Sequence, residues 1–256
     1  MMEEKLRWDA VGLWRRLGEA GINRLFLPFV ALQQLAEAAD ESEQLPTSLC
    51  EVITAGEQLQ VTPKIRRLFQ RLPGCRLHNH YGPSETHVVT AYELPSAVDE
   101  WPLLPSIGRP IVNTFLHLLD EQGKPVAEGE TGEIYLGGIC LARGYLNRPD
   151  FTAERFVPDP FRAESGARLY RTGDLARRQP DGNVEFLGRV DHQIKIRGYR
   201  VELGEIEAVL AQHPGVRECA VAAQSNGGEV RLTGYVVPQA GRELAPVQLR
   251  EFVSER

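Results

Sequence analysis

The spacing of apolar residues changes twice along the chain, and this change restricts the fold more than any other feature. In residues 1–95, helical spacing alternates with short apolar strands. Residues 49–56 and 76–82 are predicted as buried strands. Between them, Thr62 followed by Pro63 is a typical helix start. Alternating strands and helices are typical of an α/β layer with parallel strands.

Residues 96–190 have a different pattern, with short strands between turn residues. Pro180, Asp181, Gly182 and Asn183 form a typical hairpin turn between two of these strands. The chain has 24 glycines and 17 prolines, more than an average protein, which agrees with many turns. We therefore expect a mainly β section that resembles a small barrel or a curled sheet. The predicted strands are 111–120, 132–137, 169–179 and 184–187.

Residues 191–256 predict a small C-terminal α+β lobe, separate from the larger lobe 1–190. The predicted elements are an exposed strand at 194–201, an amphipathic helix at 203–212, strands at 216–223 and 230–237, and a helix from 246. The whole chain is thus expected to be an α/β layer with a β-barrel-like section, followed by this lobe.

Composition and charge exclude several functions. The chain has 29 basic and 35 acidic residues, a net charge of −6, which argues against broad nucleic-acid binding. The longest apolar run, residues 25–32, is too short to span a membrane, and the charged first ten residues do not form a signal peptide. The cysteines are far apart and form no CxxC motif, so we expect a reduced, cytoplasmic setting.

The densest cluster of polar residues lies at 78–86. A strand there delivers Tyr81, whose ring could stack on a base, and Asn79, whose amide could hydrogen-bond the base edge. After the Gly-Pro turn, Ser84 could contact a phosphate oxygen, and Glu85 could hold Mg²⁺, which prefers oxygen ligands. The cluster therefore predicts a nucleotide-binding loop.

Two other interpretations of this cluster remain open. In the first, Ser84 only caps a following helix. In the second, Cys75, His78 and His80 bind a metal ion, although no second ligand cluster is present to complete a tetrahedral site.

Two further segments combine charged residues with glycines. In residues 170–174, a glycine turn presents Asp174, whose two oxygens suit a ribose cis-diol; alternatively, Asp174 stabilises its own turn. Residues 186–198 carry four charged side chains around two glycines at the predicted lobe boundary. The alternative for this segment is an edge strand protected by basic residues.

Six segments in order carry a family resemblance. They are Thr-Ala-Gly-Glu at 54–57, Asn-His-Tyr-Gly-Pro-Ser-Glu at 79–85, residues 132–145 ending in Leu-Ala-Arg-Gly-Tyr, Arg-Pro-Asp-Phe-Thr-Ala-Glu-Arg-Phe at 148–156, Tyr-Arg-Thr-Gly-Asp at 170–174, and residues 188–203. Together they resemble the adenylate-forming enzymes, most closely the adenylation domains of non-ribosomal peptide synthetases. Ser84 stands where the family has threonine.

The resemblance implies an ATP-dependent ligase. Such an enzyme joins a carboxylic or amino acid to AMP, releases pyrophosphate, and passes the acyl group to the phosphopantetheine thiol of a carrier domain. ATP and Mg²⁺ would be the cofactors. A peptidyl or acyl carrier domain and the rest of a multidomain synthetase would be the partners. The alternatives are part of an acyl- or aryl-CoA synthetase, or a non-catalytic nucleotide-binding or interaction fragment.

By matching position, the resemblance also implies roles for individual residues. The implied nucleotide site comprises Gly56, Glu57, Asn79, Tyr81, Gly82, Ser84, Asp174 and Arg189. The implied catalytic groups are Ser84, Glu85, Arg189 and Lys195, with Glu85 as the magnesium ligand. The implied acyl pocket comprises Ile53, Ala55, His80, Val88 and Val89.

Two further implied roles concern the second half-reaction. Asp191 would be the hinge between the lobes, and Gly198 would face the site with Lys195 during thioester formation. The family's Ser/Thr/Gly-rich phosphate loop and its late catalytic lysine have no match within residues 1–256. We therefore expect the later part of the large lobe and most of the small lobe.

Overall fold

A computed structural model describes residues 9–42, 45–190, 194–196, 199–201, 203–226, 229–241 and 244–255. The chain divides into two compact units, Met1–Val190 and Asp191–Arg256. Within the described residues, no helix is long and apolar enough to cross a membrane.

The first unit begins with a sheet and its covering helices. In chain order these elements are α1 (Ala10–Glu19), β1 (Arg24–Leu27), α2 (Phe29–Ala38), β2 (Glu51–Thr54), α3 (Pro63–Gln70), β3 (Arg76–Tyr81), β4 (Thr90–Glu93) and β5 (Arg109–Pro110). The strands lie in the order β1-β2-β3-β4-β5. Strands β1, β2 and β3 pair in parallel, whereas β4 pairs antiparallel with both β3 and β5. The predicted α/β layer with parallel strands is confirmed.

Helix α3 shows how the local sequence builds this layer. The Thr62 hydroxyl accepts a hydrogen bond from the Ile65 backbone N–H at 3.3 Å, and Pro63 occupies the first turn, where no amide hydrogen is needed. Ile65, Leu68 and Phe69 form the buried face of the helix. The predicted helix start is therefore confirmed.

The rest of the first unit is a second, mainly antiparallel sheet. Its elements are β6 (Thr114–Leu119), β7 (Thr131–Gly138), α4 (Pro149–Arg155), β8 (Phe156–Pro158), β9 (Arg168–Arg178) and β10 (Val184–Arg189). The order is β10-β9-β7-β6, and β8 pairs with β9. Residues 180–183 form the predicted hairpin between β9 and β10. A bridge between Gly108 and Val184 connects this sheet to the end of the first one.

The structure differs from the sequence prediction at two places in this section. Helix α4 was not expected, because none of its residues is buried and it therefore lacks apolar periodicity. The strand predicted from residue 111 begins only at Thr114, because Asn113 has a positive φ of 65° that interrupts extended backbone.

The second unit contains β11 (Ile194–Ile196), β12 (Tyr199–Val201), α5 (Leu203–Ala211), β13 (Val216–Asn226), β14 (Glu229–Pro238) and α6 (Pro246–Ser254). Its core includes Leu203, Leu210 and Val221. The two predicted helices and the β13–β14 pair are confirmed. The single strand predicted at 194–201 is instead a short antiparallel pair, β11 and β12.

Candidate active site

Strand β3 carries the central motif to one edge of the first sheet. Along it, Leu77, Asn79 and Tyr81 are buried on one face, while His78 and His80 are half-buried on the other. The neighbouring parallel strand β2 ends at the same edge. Loops 55–57 and 82–88 therefore follow adjacent strand ends, where open α/β sheets usually bind ligands.

The loop after β3 is compact because Gly82 has no side chain. A Cβ atom on Gly82 would lie 1.6 Å from the carbonyl oxygen of His87. The turn leaves Ser84 exposed and buries Glu85, which is 8% exposed. The next element is strand β4, so the alternative in which Ser84 caps a following helix is wrong.

Three strands bring a charged cluster together around Asp174. The Tyr81 hydroxyl donates to Asp174 Oδ2 at 2.5 Å, and the Arg189 guanidinium donates to Oδ1, also at 2.5 Å. Asp174 and Arg189 are partners in the register of β9 and β10. The Asp174 carboxylate is thus buried, with Tyr81 on one oxygen and Arg189 on the other.

The Tyr81 phenol is a permanent donor in this cluster. Burial raises the pKa of Tyr81 well above its ordinary value, and the negative charge of Asp174 raises it further. Its ring packs near Phe186, with the ring centroids 6.4 Å apart.

Neighbouring groups hold the irregular part of strand β9 that presents Asp174. The backbone N–H of Asp174 donates to the Thr172 hydroxyl at 2.9 Å, and that hydroxyl donates to the carbonyl of Ile134 at 2.8 Å. Gly173 has a φ of 77°, and its N–H donates to Glu133 at 3.0 Å. Asp174 thus lies within strand β9, so the glycine turn predicted at 170–174 is wrong. Its carboxylate reaches Tyr81 and Arg189, which disfavours the alternative in which it only stabilises its own turn.

Glu85 belongs to a second group of hydrogen-bonded residues in the same unit. Its Oε1 atom accepts a hydrogen bond from the Tyr145 hydroxyl at 2.6 Å, and its backbone carbonyl accepts from the N–H of Ala142 at 2.8 Å. A carboxylate oxygen is a hard ligand, and Mg²⁺ in nucleotide sites needs only one or two carboxylates besides the phosphates. The donor chemistry of Glu85 therefore fits Mg²⁺.

The histidine–cysteine metal site is not supported. Among the described residues, no group of three or more His, Cys, Asp or Glu side chains could hold a metal ion. Burial raises the pKa of the Cys75 thiol to about 12, which disfavours the thiolate form that binds metals.

Two members of the implied nucleotide site also have structural contacts. The Asn79 amide nitrogen donates to the carbonyl of Ser106 at 2.9 Å, which ties β3 to the segment before β5. Glu57 accepts from the Val30 N–H at 3.3 Å in the first turn of α2, where a negative charge is favourable. Gly56, with a φ of 93°, makes the turn before Glu57. Their contacts to nucleotide stay predictions.

Two family models match the chain. The family model described as AMP-binding enzyme matches residues 3–146, and the model described as AMP-binding enzyme C-terminal domain matches residues 205–256. The chain belongs to the AMP-binding enzyme family. The resemblance seen in its motifs is confirmed.

Curated relatives of this AMP-binding enzyme chain are much longer proteins. It is 44% identical over 258 residues to gramicidin S synthase 2 of Brevibacillus brevis, covering 100% of this chain and 6% of the relative. It is 42% identical over 257 residues to tyrocidine synthase 2 of Brevibacillus parabrevis, covering 100% of this chain and 7% of the relative.

Solved structures show the same fold. IdnL1 matches with a TM-score of 0.84 and 32% identity, covering 98% of this chain and 50% of the other. PA1221 is described as an NRPS protein containing adenylation and PCP domains. It matches with a TM-score of 0.78 and 32% identity, covering 93% of this chain and 47% of the other. The AMP-binding chain therefore spans about half of these structures and less than a tenth of the curated relatives.

The five residues implied for the acyl pocket differ in how deeply they are buried. Ile53, Ala55, His80 and Val88 are half-buried, whereas Val89 is fully buried in the core around Tyr81. Burial lowers the pKa of His80, and the nearby charge of His78 lowers it further. The pocket itself stays a prediction.

The remaining family positions are in the second unit. Asp191 and Gly198 lie outside the described residues, and so does the side chain of Lys195, whose backbone is part of β11. Conversely, the individual roles of Tyr145 and Thr172 were missed from the sequence. Both lie within recognised motifs, but their partners are distant in sequence.

Proposed function

We propose that this chain is the nucleotide-binding part of an adenylation domain in a non-ribosomal peptide synthetase. The domain activates an amino acid with ATP as the acyl-adenylate and passes it to the phosphopantetheine thiol of a carrier domain. The observation that carries the proposal is the buried Asp174 carboxylate with Tyr81 and Arg189 on its two oxygens. The names of the two curated relatives and of PA1221 support the peptide-synthetase assignment.

Asp174 is the residue that would bind the ribose. A buried carboxylate accepts charge-assisted hydrogen bonds from two neighbouring hydroxyls, and these are stronger than neutral hydrogen bonds. Arg189, whose side chain is 14% exposed, balances the charge of Asp174 and offers donors to the phosphate. Tyr81 and Asn79 would contact the adenine.

Glu85 and Ser84 would act at the phosphates. Magnesium bound to Glu85 would supply positive charge to the phosphate oxygens. Exposed Ser84 would donate a hydrogen bond to one of these oxygens. The carboxylate of the amino acid attacks the α-phosphorus in line with the departing pyrophosphate, so positioning and charge stabilisation provide the catalysis.

The second half-reaction is assigned by family position alone. Lys195 and Gly198 would face the thioester-forming site, and Asp191 would be the hinge. Ile53, Ala55, His80, Val88 and Val89 would contribute to the acyl pocket, while Gly56, Glu57 and Gly82 would shape the loops beside the nucleotide. The setting we propose is a reduced cytoplasm and secondary-metabolite synthesis, and the four free cysteines support the reduced compartment.

Amino-acid-dependent exchange of labelled pyrophosphate into ATP tests the first half-reaction. The full-length protein should show exchange with one or a few acids from a panel of amino, hydroxy and keto acids. The activated acid should then pass to a carrier domain bearing phosphopantetheine, and not to free coenzyme A. Exchange with none of the acids would contradict the proposal, and transfer only to coenzyme A would favour an acyl-CoA synthetase.

A further inference from the structure

Tyr145 contacts Glu85 although the two residues lie 60 positions apart. The Tyr145 oxygen is 2.6 Å from Glu85 Oε1 and 3.4 Å from the hydroxyl oxygen of Tyr170. An ionised carboxylate can only accept hydrogen bonds, so the Tyr145 proton points to Glu85. The Tyr145 oxygen is then the acceptor for the Tyr170 hydroxyl.

The backbone of Tyr145 is held in place by helix α4. Its N–H donates to the Thr152 hydroxyl at 2.9 Å, and this hydroxyl donates to the Arg148 carbonyl at 2.8 Å. Gly144 has a φ of 146°, and a Cβ atom there would lie 2.4 Å from Thr152. Although α4 buries none of its own residues, it fixes the position of Tyr145.

A second set of contacts holds the segment before Tyr145. The Arg168 guanidinium donates to the carbonyls of Ala142 and Arg143 at 3.1 and 3.0 Å. The N–H of Ala142 in turn donates to the carbonyl of Glu85 at 2.8 Å. Residues 142–145 therefore hold Glu85 at two points, its backbone carbonyl and its carboxylate.

We propose that Tyr145 is a positioning residue that fixes the Glu85 carboxylate and so sets the affinity of the site for magnesium. The inference rests on the proposed function, in which Glu85 is the magnesium ligand. A carboxylate held in one orientation loses less freedom when it binds a metal. Removing an outer partner of a metal ligand typically weakens metal binding by about 10–100-fold.

The test is a magnesium titration of the binding of a non-hydrolysable ATP analogue to the full-length protein. Tyr145→Phe should need about tenfold more magnesium for half-maximal binding. Its affinity for AMP without metal should equal that of the wild type. Tyr135→Phe is the matched control, because Tyr135 is also half-buried and its hydroxyl makes no hydrogen bond within the described residues. It should behave as the wild type does.

A variant of the ligand itself makes the result decisive. Glu85→Gln should need far more magnesium than the wild type; if its magnesium dependence is unchanged, the ligand assignment fails and the inference fails with it. If Glu85→Gln shifts the dependence but Tyr145→Phe does not, the inference alone is overturned.

A variant remote from the carboxylate covers the case in which Tyr145→Phe does not fold. Thr152→Val removes the acceptor for the Tyr145 N–H, whereas Thr152→Ser keeps it. The valine variant should shift the magnesium requirement in the same direction and the serine variant should not. Equal requirements in the two variants would overturn the inference.

Discussion

Tyr81 and Asp174 are 93 positions apart in the sequence, and the phenol of Tyr81 donates a 2.5 Å hydrogen bond to the carboxylate of Asp174. Tyr81 ends a strand of the first sheet, and Asp174 lies in a strand of the second. The bond therefore ties the two sheets of the first unit together. It also fixes the orientation of a buried charge, as a preorganised binding site requires.

Tyr81→Phe should lower the free energy of unfolding by about 1.5–3 kcal/mol, because it removes a donor from a buried carboxylate. Urea denaturation measures the change. Tyr92→Phe is the control, since Tyr92 is half-buried in β4 and its hydroxyl makes no hydrogen bond within the described residues. Equal losses in the two variants would mean that the Tyr81–Asp174 bond contributes no stability.

Gly82→Ala should disrupt the loop that carries Ser84 and Glu85, because the added methyl group would overlap the carbonyl oxygen of His87. We expect nucleotide binding to fall at least tenfold, measured by fluorescence of a labelled ATP analogue. Gly204→Ala should leave binding unchanged, because among the described residues no atom outside its own helix backbone and chain neighbours lies within 4 Å of the added carbon. A Gly82→Ala variant with wild-type affinity would show that this loop is not part of the site.

How far the sequence predicts the structure depends on the range of the interactions. Thr62 and Pro63 define a helix start by themselves, and residues 180–183 define a hairpin. The local sequence therefore predicts both elements. The contact of Tyr145 with Glu85 depends on the folding of 60 intervening residues, which no local pattern encodes. Helix α4 was missed because its role is to hold Tyr145 and not to bury an apolar face. The residues around Asp174 and the family resemblance both indicated this carboxylate, but only the fold shows its partners.

His80 should titrate below the ordinary histidine pKa of about 6.5, because burial and the charge of His78 both disfavour its protonated form. The folded-state pKa is lowered, so its contribution to stability is present above the ordinary pKa and is lost as the pH falls through the folded pKa. NMR titration of the His80 ring proton gives the pKa directly. When the pH falls from 7 to below the folded-state pKa of His80, the His80→Gln variant should lose less stability than the wild type does. An equal loss would contradict the lowered pKa of His80.

The most direct test of Asp174 as the ribose ligand compares ATP with 2′,3′-dideoxy-ATP by isothermal titration, using the full-length protein and its Asp174→Asn variant. The wild type should bind ATP about ten- to a hundredfold more tightly than 2′,3′-dideoxy-ATP, because the analogue has no ribose hydroxyls to donate to the carboxylate. The asparagine variant should lose most of this preference. A wild type that binds both nucleotides equally, or a variant that keeps the full preference, would contradict the account.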